Sequence, residues 1–272
     1  MMKTRMKSNY HTHTYLCRHA EGKPIDYVEI ASNLGYHTIG ITDHGPIIQS
    51  IKNQIVSRRM NFNEYYSLYL PQLEEARQTY SNIKVLKGLE LEYFEEMKEE
   101  YPKFLKDLDY LILGQHYIHH NNKILSIYSK EIDASAIESY KNDVIKAIES
   151  GYFKIVAHPD IYCWNYNKWD DVTEKTARTI IETAIKHNVY LEINANGIRN
   201  CKRKGYTTIS NDGHISYSYP KYEFWKLAKE MNAKVIIDDD AHFFDNMNDD
   251  ATNEAFELAE EIGLKVEDKI IL

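Results

Sequence analysis

Seven of the twelve histidines in this sequence stand just after short apolar runs and in the company of carboxylates. They are His11, His13 and His19 in HTHTYLCRH, His44 in TDHGP, His116 in LGQHY, His158 in VAHPD and His242 in DDDAH. Glu90 in KGLEL and Asp240 in DDDAH occupy equivalent places. Neutral imidazole nitrogens with charge-balancing carboxylates suit a borderline divalent cation such as Zn²⁺, Mn²⁺ or Fe²⁺. Nine candidate ligands are too many for one ion, so two to three ions per chain are expected. Glu90, in the middle of the set, is the natural bridging carboxylate. A single histidine in such a place is more often a hydrogen-bonded core residue than a ligand. Recurrence after six of seven runs carries the reading. His37, His119, His120, His187 and His214 lack this placement and read as surface or packing residues. Cys17, between His13 and His19, reads as a bystander.

Those residues need elements to position them. Short runs with β-branched residues recur at Thr38–Thr42, Lys84–Leu89, Tyr110–Gly114, Lys154–Ala157, Val189–Ile193 and Lys234–Ile237, with a weaker one at Lys7–Tyr10. Bounded by turn residues, they predict buried parallel strands. Helical patterns alternate with them. Pro24 opens one that Gly35 closes. Ser135 with Glu138 has capping-box spacing ahead of a stripe of Ile137, Val144, Ile145 and Ile148. Further helices are expected after Thr173, after Pro220 and through Ala255 to Gly263. Alternating strands and helices predict a parallel α/β protein. An open doubly wound sheet would concentrate its chemistry in one crevice. Ligand-type residues after nearly every strand instead predict a closed (β/α) barrel with the site at the C-terminal strand ends.

Composition narrows the partners. Lys plus Arg number 33 against 41 Asp plus Glu, a net charge of −8. That balance argues against a protein that coats a nucleic-acid polymer, which needs a broad cationic surface. No apolar stretch of about 18 residues exists to span a bilayer. The basic start from Lys3 to Lys7 lacks the apolar region of a signal peptide. Three cysteines (Cys17, Cys163, Cys201) without CxxC spacing suit free thiols, and a cytoplasmic location is expected. With 272 residues the chain fits one barrel domain over 1–272. The segment Gly45–Asn82 is longer than an ordinary βα connection and reads as either a substrate-covering lid or an extra packing helix.

The full set from His11 to Asp240 and His242 resembles the polymerase and histidinol phosphatase (PHP) superfamily, in particular its histidinol-phosphatase branch. The resemblance implies a distorted seven-stranded TIM-like (β/α) barrel with a trinuclear metal site. It implies that His11, His13, Glu90 and Asp240 hold a first ion, Glu90, His116 and His158 a second, and His19, His44 and His242 a third. The implied activity is hydrolysis of a small phosphomonoester, with L-histidinol phosphate first. Hydroxide shared between two cations would attack phosphorus directly, with Glu90 and Asp240 as catalytic ligands. Arg199, in NGIRN, is the implied phosphate clamp, a planar guanidinium matched to phosphate oxygens. A second phosphate-binding Arg, which that branch often carries after the fifth-strand His, is missing from HPDIYCW. Arg18 is the candidate substitute. Phosphotyrosine or nucleotide substrates, or a non-catalytic metal-binding barrel, are the alternatives. Asp160 is expected either to protonate the leaving group or, preferably, to fix a ligand, and Asp43 to be structural.

Overall fold

The computed structural model describes residues 5–166, 168–210 and 212–272. Its strands are β1 (Ser8–Asn9), β2 (Thr38–Ile41), β3 (Lys84–Leu91), β4 (Tyr110–Leu113), β5 (Tyr117–His120), β6 (Lys123–Ser126), β7 (Ile155–Val156), β8 (Tyr190–Asn194), β9 (Thr207–Ile209), β10 (Ile215–Tyr217) and β11 (Val235–Asp238). Seven of them form one parallel sheet in the order β1-β2-β3-β4-β7-β8-β11. All seven expected strands are present, each within two residues of its expected ends.

The sheet curls into a nearly closed barrel. Between its first and last strands a backbone bridge pairs Thr12 with Ala241, where His13 N–H donates to the Ala241 carbonyl at 2.9 Å. Lower down, Tyr10 N–H donates to the Asp238 carboxylate at 2.6 Å, a side chain standing in for a ladder bond. The strands are buried on both faces, as parallel barrel strands must be. Along β4, Tyr110 and Ile112 point into the barrel with Tyr10, Leu86, Ile155, Ala157, Tyr190 and Ile236. Leu111 and Leu113 point outward into the main core beneath the helices. Gly40 makes the interior packing possible, because a Cβ there would strike the Tyr110 hydroxyl. The C-terminal tail closes the opposite mouth: Ile270 N–H donates to Tyr10 Oη at 3.2 Å and Ile271 N–H to Tyr190 Oη at 3.1 Å.

The helices are α1 (Pro24–Leu34), α2 (Gln49–Lys52), α3 (Phe62–Glu64), α4 (Leu70–Thr79), α5 (Tyr101–Asp107), α6 (Ala134–Glu149), α7 (Asp171–His187), α8 (Ala195–Lys204), α9 (Tyr222–Glu230) and α10 (Asp250–Ile262). Gly35 and Gly263 end α1 and α10 in the left-handed conformation, as expected. Two helix starts lie earlier than the sequence suggests. Asp133, not Ser135, caps α6, accepting from Ala136 N–H at 2.9 Å. Asp170 caps α7 in a reciprocal box with Thr173, so Thr173 is inside the helix. A carboxylate accepts an N–H at a helix start as well as a hydroxyl does.

Two antiparallel hairpins, β5–β6 and β9–β10, were not expected. The first turns through Asn121 and Asn122, both at positive φ (49° and 61°), the geometry that a two-residue type I′ turn demands. The Asn-Asn pair is a legible hairpin signal. Residues 45–82 divide in two. Their second half packs, with Tyr65, Tyr69, Leu73 and Ala76 buried against the barrel. Their first half, near Val56 to Arg59, forms part of the rim of the main cavity.

Candidate metal centre

Each expected ligand lies at the C-terminal end of the barrel. His11 and His13 follow β1, His44 follows β2, and Glu90 is near the end of β3, bridged through its backbone to His44. His116 follows β4, His158 follows β7, and Asp240 and His242 follow β11. Two of these residues hold backbones that L-residues avoid: φ is 34° at His158 and 46° at Asp240. Such strain costs of the order of 1–3 kcal/mol per residue and concentrates at functional sites. At the end of β4, Gly114 leaves the space that the Glu90 carboxylate fills; a Cβ there would overlap Glu90 Oε1.

The first four expected ligands converge on one point. His11 Nε2 and His13 Nε2 are 3.1 Å apart, and each is 3.5 Å from Glu90 Oε2. Asp240 Oδ1 lies 3.0 Å from His13 Nε2 and 3.6 Å from His11 Nε2. Four donors around one ion at about 2.1 Å are separated by about 3.4 Å when tetrahedral. Asp240 Oδ1 is buried and has no hydrogen-bond partner, although three imidazole nitrogens, from His13, His242 and His11, approach it. An unpartnered carboxylate oxygen amid converging imidazole nitrogens fits a shared cation.

The other oxygen of Glu90 faces the second expected set. His158 Nε2 lies 3.1 Å and His116 Nε2 3.7 Å from Glu90 Oε1, so Glu90 spans the two groups as a bridge would. His44 turns toward them, with Nδ1 2.9 Å from Glu90 Oε2. Within the third expected set, ring centroids are 5.2 Å apart for His19 and His44, 4.9 Å for His19 and His242, and 6.3 Å for His44 and His242. Cys17 is no distant bystander. It is buried, and its thiol falls within ligand reach of His19 and His242.

Behind the donors stands an ordered layer that fixes ring orientation. Glu192, fully buried, accepts from His11 Nδ1 at 2.6 Å and from His158 N–H at 3.0 Å. Glu92 takes His116 Nδ1 at 3.3 Å and pairs bidentately with buried Arg59 at 2.8 and 2.9 Å. The carbonyls of Cys17 and Asp240 face Nδ1 of His19 and His242 at 2.7 and 3.1 Å. Asn194 and Asn196 both donate to Asp240 Oδ2 at 3.2 Å. With Nδ1 held this way, Nε2 is presented to a cation. Glu92, Glu192 and Arg59 were not singled out from the sequence. Glu192 was nevertheless visible as a lone acid inside the apolar strand VYLEIN.

The electrostatics show a site short of positive charge. Burial raises Glu90, but His44, His116 and His11 more than offset it and hold its carboxyl well below the usual range. Asp240 is likewise held down by His11 and His242 against its burial. Burial lowers His11, yet Glu192, Asp240 and Glu90 outweigh it and raise that imidazole well above its ordinary value. Burial pushes His44 down to about 4 in spite of Glu90, which keeps its ring neutral and able to ligate. Divalent cations would supply the charge that the carboxylates otherwise draw as protons.

A cavity of about 810 Å³ opens over these residues. Arg199 lines it, but four of its N–H groups are already engaged. Nε and Nη2 donate to the Asp249 carboxylate at 2.7 and 2.9 Å, Nη2 to the Asn246 carbonyl at 2.6 Å and Nη1 to the Asp239 carbonyl at 2.6 Å. The guanidinium therefore braces the turn that carries Asp240. Arg18 does not line the cavity; it pairs with Glu64 on the surface. Asp160 also lies away from the cavity. Burial raises its carboxyl to about 7 while it accepts from Lys221 N–H at 2.5 Å and the Trp225 indole at 3.0 Å, anchoring the start of α9. Asp43 is buried and holds Thr14, accepting from its N–H at 3.2 Å and also from its hydroxyl.

Known proteins resemble this chain in sequence and in fold. A "Probable histidinol-phosphatase" of Schizosaccharomyces pombe is 23% identical over 261 residues, covering 87% of this chain and 81% of that protein. A "Probable phosphatase" of Shewanella loihica is 24% identical over 228 residues, covering 76% and 78%. Among solved structures, histidinol phosphate phosphatase of Lactococcus lactis, complexed with zinc, L-histidinol and phosphate, superimposes with a TM-score of 0.68. It is 16% identical and covers 96% of this chain and 95% of its own. The PHP domain family pattern matches residues 9–196, more than half the chain. With a seven-stranded barrel whose strand ends converge on a histidine–carboxylate cluster, this protein belongs to the PHP-domain family.

Proposed function

We propose that the protein is a metal-dependent phosphomonoester hydrolase. The observation that carries this reading is the bridging position of Glu90. One oxygen faces His11 and His13 while the other faces His116 and His158. Two to three divalent cations, Zn²⁺, Mn²⁺ or Fe²⁺, would be held there. When bound they supply Lewis acidity and lower the pKa of water toward 7. The chain's own part is to hold four imidazoles with Nε2 inward, to keep Asp240 ionised and to open the cluster to a small substrate. Three buried, unpaired cysteines support a reducing compartment such as the cytoplasm.

Two substrate readings rest on different observations. L-histidinol phosphate is supported by the names of the relatives and by the ligands of the Lactococcus lactis protein. Another small phosphorylated substrate is supported by the cavity, where Arg199 is engaged by Asp249 and Arg18 is absent. The test is phosphate release by protein reconstituted with Mn²⁺ or Zn²⁺, offered histidinol phosphate, phosphotyrosine, p-nitrophenyl phosphate and an oligonucleotide. Turnover of small monoesters with loss of activity in Glu90→Ala is expected. No release from any of them at full metal occupancy would replace the hydrolase reading with a non-catalytic metal-binding barrel.

A further inference from the structure

The charged residues lining the cavity can be matched to partners one by one. Glu92 is paired with Arg59, and Glu90 and Asp240 belong to the metal cluster. Arg199 is matched to Asp249. Two arginines are left over, Arg58 from the segment between α2 and α3 and Arg203 from the end of α8. Both are exposed to the cavity solvent. Arg58 has no hydrogen-bond or ion-pair partner among the described residues, and Arg203 gives a single bond, from Nη2 to Asn200 Oδ1 at 2.8 Å. No lining carboxylate among the described residues remains free to receive an ammonium group.

Resting on the hydrolase reading above, we infer that the substrate carries a second anionic group on its leaving-group side, recognised by Arg58 and Arg203. A guanidinium with several free donors in a fork matches a carboxylate or a phosphate. An ammonium group in the same place would meet two cations and no counter-charge. The same cavity wall carries aromatic rings beside the cluster. Tyr128 stacks on His116 at 6.1 Å between centroids, and Tyr219 meets His158 edge-on at 6.0 Å. Flat rings there suit a planar body linking the reacting phosphate to the distal anion.

A matched series of aryl phosphates isolates the pendant charge while keeping the reacting bond the same. It comprises p-cresyl phosphate (neutral), phosphotyramine (ammonium), phosphorylated hydroxyphenylpropanoate (carboxylate) and phosphorylated hydroxyphenylethylphosphonate (a second phosphate-like anion that cannot be hydrolysed), with histidinol phosphate, an alkyl ester, alongside. The two anionic esters are expected to exceed the neutral one in kcat/KM by about tenfold, with phosphotyramine last, in line with a charge-assisted hydrogen bond. Whichever anionic ester leads tells carboxylate from phosphate. In Arg58→Ala and Arg203→Ala the ratio of anionic to neutral ester should fall toward one. Equal or better turnover of phosphotyramine or histidinol phosphate, or an unchanged ratio in both variants, overturns the inference. The non-hydrolysable phosphonate counterparts, titrated calorimetrically, give the same ranking without chemistry. If no ester is hydrolysed but the phosphonates rank as expected, the hydrolase reading fails and the charge preference stands. A flat ranking in binding overturns the preference itself.

Discussion

A ligand histidine is only as good as the group that holds its other nitrogen. Glu192 shows this most directly, since one buried carboxylate orients His11 through Nδ1 and the backbone that carries His158. Replacing it with glutamine keeps the volume and removes the charge. Glu192→Gln should weaken metal binding by about 10–100-fold, the usual penalty for an outer-shell change. Metal per chain after dialysis against graded chelator reads the effect, and wild-type retention would show that Glu192 serves packing alone. Glu90 is less replaceable, because its two oxygens serve both halves of the cluster. Arg199 illustrates the limit of judging a residue by type. Arg199 lines the cavity as a phosphate clamp would, but its guanidinium is also bound to Asp249, 50 residues away in sequence.

At the scale of elements, the strand ends deliver the histidines and carboxylates of the cluster and their neighbours make room. Gly114 has the shape of a cradle for Glu90. Gly114→Ala should displace that carboxylate and lower kcat by about a hundredfold, the cost of a misplacement of about an ångström. Thermal stability measured beside kinetics distinguishes displacement from unfolding: activity falls while the melting curve keeps its cooperativity. The segment from Gly45 to Arg59 is fastened at its far end by the buried Arg59–Glu92 pair, and Arg59 Nη1 also donates to the Gly45 carbonyl at 3.2 Å. Arg59→Met leaves Glu92 charged in the interior with only His116 Nδ1 against it. Loss of about 3–5 kcal/mol is expected. Adding Glu92→Gln to Arg59→Met should recover part of it, as calorimetric unfolding of the three variants would reveal. Failure to recover would mean that Arg59 acts through its contacts with the loop and not through the pair.

For the molecule as a whole, the site is where the barrel concentrates its unmatched charge. Seven imidazoles and two carboxylates meet at one end, and the pull of Glu192, Asp240 and Glu90 on His11 and of Asp240 and Asp43 on His13, against the burial of both rings, reflects an unmet need for cations. Chelation should therefore lower Tm and abolish turnover together. Saturating metal at a thousandfold over Kd contributes about 4 kcal/mol for each site. Differential scanning fluorimetry across a metal titration gives the check, and a Tm indifferent to both chelator and metal would deny that cations belong to the folded state. The −8 of the chain is likewise unevenly spread, for Arg58 and Arg203 face the cavity of an acidic protein. No helix among the described residues is long and apolar enough to cross a membrane.

Much of this was already determined by the order of amino acids. The apolar runs and helix signals marked the seven strands, and the polar residues after them marked the cluster at the strand ends, because a parallel barrel strand must be apolar inside and can be polar only where it emerges. The adjacent Asn121 and Asn122, which tolerate positive φ, also mark a hairpin turn in the sequence. Other features were decided only by folding. That Glu192 reaches His11, that Glu92 closes on Arg59 and that Arg199 meets Asp249 all depend on residues separated by 181, 33 and 50 positions. Local pattern reports whether a side chain is buried or exposed, since burial follows from periodicity within one element. It does not report which distant partner answers a charge. That choice is made when curvature of the sheet brings strand ends together, and there the structure separated the arginines already paired from the two still free to meet a substrate.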